Sequence, residues 1–152
     1  MSDEKLRSHR FTRDMDSTSV STLASCSLGE VSWKKGEWIL TTGDEAKRCY
    51  LLMSGDVHIE TTSPGRPATE LQTIHGGDLL GWSWLIPPYR WAFDARAATD
   101  VTAVALDAKK LRVAAESDCT FGYALLTRMF TLVSDRLQAT RLQLMDLYGP
   151  RA

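Results

Sequence analysis

The chain has 152 residues, with 18 Lys and Arg against 19 Asp and Glu, a net charge of -1, and a composition that is 43% hydrophobic and 24% charged. That is the size and make-up of one globular domain, and the near-neutral balance lacks the basic surface that nucleic-acid binding needs. No run of about 18 apolar residues occurs, so no membrane-spanning helix is expected, and the polar N-terminus MSDEKLRSHRFTRDMDSTS has no apolar stretch of the kind a secretory signal carries.

Residues 1–13 read as a flexible N-terminal tail, followed by one domain over 14–152. From about residue 28 to 107 the pattern is strand and turn. Gly36, Gly43, Gly55, Gly65, Gly76, Gly77 and Gly81 recur at hairpin spacing. Between them, Trp38-Ile39-Leu40-Thr41 is a short strand. Cys49-Tyr50-Leu51-Leu52-Met53 is a continuous apolar run, which fits a strand covered on both faces. Ser54-Gly55-Asp56 reads as a tight turn into Val57-His58-Ile59-Glu60-Thr61, which alternates as a half-buried strand does. Ser63-Pro64-Gly65-Arg66-Pro67 is a surface turn, and Val101–Leu106 closes the set with a second alternating strand. This half reads as a mainly β body, a sandwich or barrel of short strands.

From about 108 to 148 the pattern is helical. Asp107 is placed to cap a short helix through Glu116, and Asp118 or Thr120 to cap a long one. Gly149-Pro150 stops the long helix near Tyr148. Along it Leu126, Phe130, Val133, Leu137, Thr140, Leu144 and Leu147 step by four and three, a heptad seam of the kind that joins two helices. Leu125, Met129 and Leu132 form a second stripe beside it. One stripe would pack on the strand body and leave the other to a partner, so a homodimer is expected. Thr140 is the polar position of the seam, and a polar residue there invites a specific reason.

Cys26, Cys49 and Cys119 are odd in number and widely spaced, which reads as free thiols in a reducing, cytoplasmic setting. His9, His58 and His75 lie near no cysteine in sequence, so no metal and no other cofactor is expected. The most unusual segment is GGDLLGWSWLIPPYRWAFDARA, from Gly76 to Ala97, which holds Trp82, Trp84 and Trp91 of the five tryptophans, and a Pro87-Pro88 pair.

Four stretches, in order, resemble the cyclic nucleotide-binding domain of the catabolite activator and kinase regulatory subunit superfamily. Lys35-Gly36-Glu37 and Thr42-Gly43-Asp44 are similar to its paired glycine turns. Tyr50-Leu51-Leu52-Met53-Ser54-Gly55-Asp56-Val57 resembles its most recognisable strand-turn-strand. Gly77-Asp78-Leu79-Leu80-Gly81 looks like the approach to its phosphate-binding cassette, and Arg136-Leu137-Gln138-Ala139-Thr140 like the helix segment that meets the purine. The resemblance spans about residues 20 to 148 and implies a mainly β fold with flanking helices, a β jelly roll or double-stranded β-helix with a short helix and a long C-terminal dimerisation helix. In that family the second glycine of the cassette precedes a glutamate for the ribose hydroxyl. About ten residues later an arginine pairs with the cyclic phosphate, whose burial needs a forked cationic donor.

This sequence departs from that pattern. Trp82 follows Gly81, so the ribose acceptor is missing. The arginine position falls on Trp91 or Ala92, with Arg90 one or two residues early, and Ala92 or Phe93 replaces the small hydroxyl. Thr140 matches a base-contacting position, but Arg141 follows it. The expectation is a non-enzymatic regulatory domain that does not hold cAMP or cGMP in the usual way. The tryptophans could fill the pocket. The pocket could instead take a flat apolar molecule, or a nucleotide held by Arg90 and Arg96, or the loop could dock a protein partner. Arg96 could equally pair with Asp94 on the same strand face. For any ligand the candidate residues are Gly81, Trp82, Arg90, Trp91, Arg96 and Thr140. The DNA-binding members of the superfamily carry a further segment after the long helix. Here the sequence ends at Ala152, so no direct nucleic-acid contact and no membrane contact is expected. A cupin-like metalloenzyme shares the jelly roll but needs an HxH pair, and His58 and His75 stand singly, so no catalytic residue is assigned.

Overall fold

A computed structural model describes residues 3–61 and 69–148. Its strands are β1 (Ser27–Trp33), β2 (Trp38–Leu40), β3 (Arg48–Ser54), β4 (Asp56–Thr61), β5 (Thr69–His75), β6 (Leu79–Leu80), β7 (Asp94–Ala97) and β8 (Val101–Asp107). They form two four-stranded sheets, ordered β1-β8-β3-β6 and β2-β7-β4-β5, in which every pairing is antiparallel. This is the jelly roll that the family resemblance implies, built of the short strands that the glycine spacing predicts. The expected Ser63–Pro67 turn lies outside the described residues.

The helices are α1 (Asp3–Arg7), α2 (Ser17–Ser25), α3 (Ala108–Ser117) and α4 (Cys119–Tyr148). Asp16 caps α2 by accepting the Ser19 N–H, and Asp107 caps α3 by accepting the Lys110 N–H at 3.1 Å. Asp118 starts α4, with Oδ1 accepting from the Thr120 and Phe121 N–H groups at 3.1 and 3.3 Å.

Leu51 on β3 pairs with Val104 on β8, and Leu52 with Ala103, all fully buried between the layers. The turn that joins β3 to β4 depends on Gly55. Its φ is +93°, and a Cβ there would collide with the Asp100 carbonyl oxygen. Strand β8 departs from the expected alternation. Val101 and residues 103–106 are all buried, and Thr102 is the exposed exception. The reason is position: β8 lies inside its sheet between β1 and β3, and α3 packs against its end.

The N-terminal segment also differs from expectation. It is not a tail. Leu6, His9, Phe11 and Thr12 are buried. The His9 Nε2–H donates to the Leu52 carbonyl at 2.8 Å, and its Nδ1 accepts the Phe11 N–H at 3.0 Å. Arg128 on α4 donates to the carbonyls of Phe11 (2.7 Å) and Arg10 (2.8 Å), while Arg10 pairs with Asp78 at the start of the cassette. Two apolar side chains, a buried ring that bonds at both nitrogens and the Arg128 guanidinium together hold these residues on the roll. Burial pulls the His9 pKa below its usual value, with the Leu52 carbonyl opposing that shift.

Helix α4 splits its two stripes as the spacing implies. Phe121, Leu125 and Met129 are buried, and Leu132 packs beside them. Leu126, Phe130, Leu137 and Leu144 on the heptad seam are 50–75% exposed. The side chain of Leu147 and residues Gly149-Pro150 lie outside those described.

Candidate functional site

Within the segment from Gly81 to Phe93, Gly81, Trp84, Trp91 and Phe93 are buried, while residues 86–88 lie on the surface. Gly81 has φ of +97°, and its Cα faces the ring of Trp91 so closely that a Cβ would stand 2.5 Å from the indole. Trp91 is 5% exposed. Its amide donates to the Asp44 carbonyl at 3.0 Å, and its carbonyl accepts from Gly43 at 2.9 Å, which clamps the segment onto the β2–β3 connection. Trp84, on a 3-10 turn over Ser83–Leu85, is fully buried and donates its indole N–H to the Gly81 carbonyl at 2.9 Å. Tyr89 adopts a positive φ of 58°, its carbonyl accepting from Ala46 and its ring lying 4.2 Å from the Arg112 guanidinium. Trp84 and Trp91 therefore fill the space around Gly81.

The other end is open. A cavity of about 310 Å³ lies between the cassette and α4, lined by Ile59, Trp82, Phe93, Val133 and Leu137 on its apolar side. Gln72, Arg136, Thr140 and Gln143 complete it. Trp82 and Phe93 meet with ring centroids 5.5 Å apart and an interplanar angle of 51°, and Phe93 meets Trp91 at 6.4 Å. Thr140 has its reason here. Its hydroxyl donates to the Arg136 carbonyl at 3.0 Å and accepts from the Gln72 amide at 3.1 Å, and the same Gln72 amide reaches the Arg136 carbonyl at 2.9 Å.

Arg136 is the charged group of this end. Its guanidinium lies 4.7 Å from the Trp82 ring centroid, and Nη2 donates to the Leu79 carbonyl at 2.8 Å. Nη1 is buried without a hydrogen-bond partner among the described residues. Burial lowers the Arg136 pKa to about 10, with Asp78 opposing, so the group stays cationic at neutral pH.

Of the six expected ligand residues, Trp82 and Thr140 line this cavity, Gly81 and Trp91 pack on each other beside Phe93, and Arg90 and Arg96 lie elsewhere. Arg90 donates to the Gly43 carbonyl at 2.8 Å on an exposed edge. Arg96 lies on β7 between the buried Ala95 and Ala97, so strand alternation turns it outward. There it pairs with Glu60 at 2.5 Å and lies 5.3 Å from the Trp38 ring. Asp94 accepts the Thr42 N–H at 2.7 Å. Arg96 thus makes a cross-strand bond to Glu60.

The site also contains residues that sequence reasoning left off the ligand set: Ile59, Gln72, Phe93 and above all Arg136. Arg136 stands one helical turn before Thr140, which puts both on one face of α4. That spacing was a usable signal. Among the described residues no cluster of three or more His, Cys, Asp or Glu side chains could hold a metal ion, and no helix is long and apolar enough to cross a membrane.

The comparisons with known proteins fit this geometry. A search of curated proteins returns no match. Among solved structures, a protein from Geobacter metallireducens GS-15 that carries a provisional cyclic nucleotide-binding name is 28% identical, with a TM-score of 0.80 over 90% of this chain and 98% of its own. A cyclic nucleotide-binding domain from Methylobacillus flagellatus KT is 16% identical, with a TM-score of 0.83 over 98% of this chain and 85% of its own. The sensor domain of the transcriptional regulator DNR from Pseudomonas aeruginosa is 19% identical, with a TM-score of 0.69 over 90% and 91%. These last two likenesses speak for the fold alone. The family model for the cyclic nucleotide-binding domain matches residues 30–118, more than half of the sequence. The chain belongs to the cyclic nucleotide-binding domain family.

Proposed function

We propose that this protein is a non-enzymatic regulatory domain that works as a homodimer through α4 and does not respond to cAMP or cGMP through the family's phosphate cassette. The observation that carries this reading is the Trp91 ring packed on Gly81. In the family an arginine at that position meets a phosphate cradled by the glycine loop, whereas here an indole takes up the space. Arg90 and Arg96 are committed to the Gly43 carbonyl and to Glu60, so neither replaces it. A charge-assisted contact to a buried phosphate contributes roughly 1.5–3 kcal/mol. Without that contact and the ribose acceptor, affinity should fall by orders of magnitude.

Titration of the full chain with cAMP and cGMP tests this, read by tryptophan fluorescence and calorimetry. No saturable response up to about 1 mM is expected, a ceiling near -4 kcal/mol. Saturation at micromolar nucleotide would overturn the reading. The dimer has its own support in the exposed heptad stripe. Phe130, 75% exposed, can be changed without touching the roll. Phe130→Asp should halve the mass in analytical ultracentrifugation with the far-UV spectrum unchanged, and Leu137→Asp should do the same. A dimer that persists in both variants would remove α4 as the interface.

A further inference from the structure

The heptad spacing of α4 does not begin at Leu126. Cys119 and Tyr123 precede it at steps of four and three, so the stripe starts with the first residue of the helix. Cys119 is exposed, and Tyr123, at 77%, is the most exposed large hydrophobic side chain among the described residues. Beside them lies a groove of about 460 Å³, well away from the cavity at Thr140. Its floor on α4 is Cys119, Gly122, Tyr123 and Leu126, and its far wall is Leu85 and Tyr89 of the cassette segment. Those four helix residues are spaced i, i+3, i+4 and i+7, the set that makes one hole in knobs-into-holes packing. Gly122 puts no side chain into that hole, and a Cβ there would stand 2.6 Å from the Ala115 carbonyl oxygen, so α3 packs closely behind it. The wall is held from α3: Arg112 donates to the Trp84 carbonyl at 2.6 Å and lies 4.2 Å from the Tyr89 ring. The groove is therefore built by three elements and opens along the same exposed stripe as Phe130, Leu137 and Leu144.

We infer that this groove is the seat for Tyr123 of a second copy of the chain, which makes the cassette segment of each protomer part of the dimer interface. Register picks the occupant. When two copies of α4 pair in parallel with equal residues level, the side chain at the first apolar position of each heptad enters a hole on the facing helix. For Tyr123 the four residues of that hole are 119, 122, 123 and 126, the floor of the groove. An antiparallel pair would carry Tyr123 to the far end of the facing helix, where no cassette wall stands. The inference rests on the proposed dimer through α4 and adds its direction, its register and the part played by Leu85 and Tyr89.

Register is read with the native thiols of the full chain. Cys26 and Cys49 are buried, which leaves Cys119 as the exposed cysteine. In the seated dimer the two Cys119 thiols lie level on adjoining helices, so a short bis-maleimide should join them into a covalent dimer that Cys119→Ser abolishes. Antiparallel helices would hold them near opposite ends of the pair. In sedimentation equilibrium Tyr123→Ala should raise the dissociation constant of the dimer about 10-fold or more, and Tyr123→Phe should restore it. Both variants change an exposed side chain, so their far-UV spectra should match that of the parent. The wall is read by hydrogen exchange at the Leu85 and Tyr89 amides, which bond to the Trp82 and Ile86 carbonyls. They should exchange more slowly in the dimer than in the Phe130→Asp monomer. A dimer that bis-maleimide does not join, or that Tyr123→Ala leaves equally tight, overturns the seat while the α4 dimer stands. Equal exchange at Leu85 and Tyr89 in dimer and monomer overturns the part given to the cassette segment. A chain that sediments as a monomer at every concentration defeats the dimer and the seat together.

Discussion

The two ends of the cavity beneath α4 are built by opposite means. At the cassette end, Trp84 and Trp91 are buried, the Trp84 indole N–H is bonded to Gly81, and the Trp91 backbone is paired to the β2–β3 connection. At the helix end, Arg136 carries its charge beside apolar walls and leaves one nitrogen unpaired. A family scaffold that has lost its ligand altogether would be expected to close at both ends. Packing is closed around Gly81 and Trp91, while the helix side is an open cavity with a cation at its edge.

This contrast can be broken by substitution at either end, at one fixed protein concentration so that self-association does not enter the comparison. The largest effect is expected from Trp84→Ala, which empties a fully buried site and should lower unfolding free energy by about 3–5 kcal/mol in urea. A loss below about 1 kcal/mol would mean that the cassette end is looser than its packing implies. Next comes Gly81→Ala. The positive φ and the indole at 2.5 Å both oppose a Cβ, and a loss of about 1–3 kcal/mol is expected by the same assay. At the helix end Gln72→Ala removes two hydrogen bonds on a partly exposed edge and should cost only about 1 kcal/mol. If it cost as much as Trp84→Ala, the two ends would not differ as described.

The smallest effect is a pH dependence from outside both ends. The folded-state pKa of His9 lies below its unfolded value of 6.5, because burial and the Phe11 N–H on Nδ1 favour the neutral ring. Its contribution is therefore fully present above pH 6.5 and is lost as pH falls from there through the lowered folded value. Melting curves between pH 7.5 and 5 should show a decline that His9→Gln flattens. An unchanged slope in the variant would place the decline on other groups.

The legible part of the fold was local. The strand-turn-strand through Gly55 announces itself because only glycine fits beside the Asp100 carbonyl at that φ. The two stripes of α4 are a matter of period, and period is visible in a sequence. The site was half legible. Gly81, Trp82 and Trp91 follow from counting along the cassette. Arg90 and Arg96 misled because nearness in sequence says nothing about which face of a strand a side chain takes, and β7 turns Arg96 away from the cavity. Arg136 and Gln72 come together only when α4 crosses β5, a contact 64 residues apart in sequence. The N-terminal segment was hidden by its composition: Leu6 and Phe11 are too few to show a period, and what fixes them is Arg128, supplied by α4.

Two turns of α4 border both the cavity and the heptad seam. Val133, Leu137 and Thr140 line the cavity and also belong to the seam. Whatever fills the one and whatever covers the other share those three side chains, so the two equilibria cannot be independent. Their coupling is reciprocal: a molecule in the cavity that strengthens or weakens self-association by some factor has its own affinity changed by that same factor. Affinity for the cavity would then depend on protein concentration, and a dilution series would read out the coupling without any mutation.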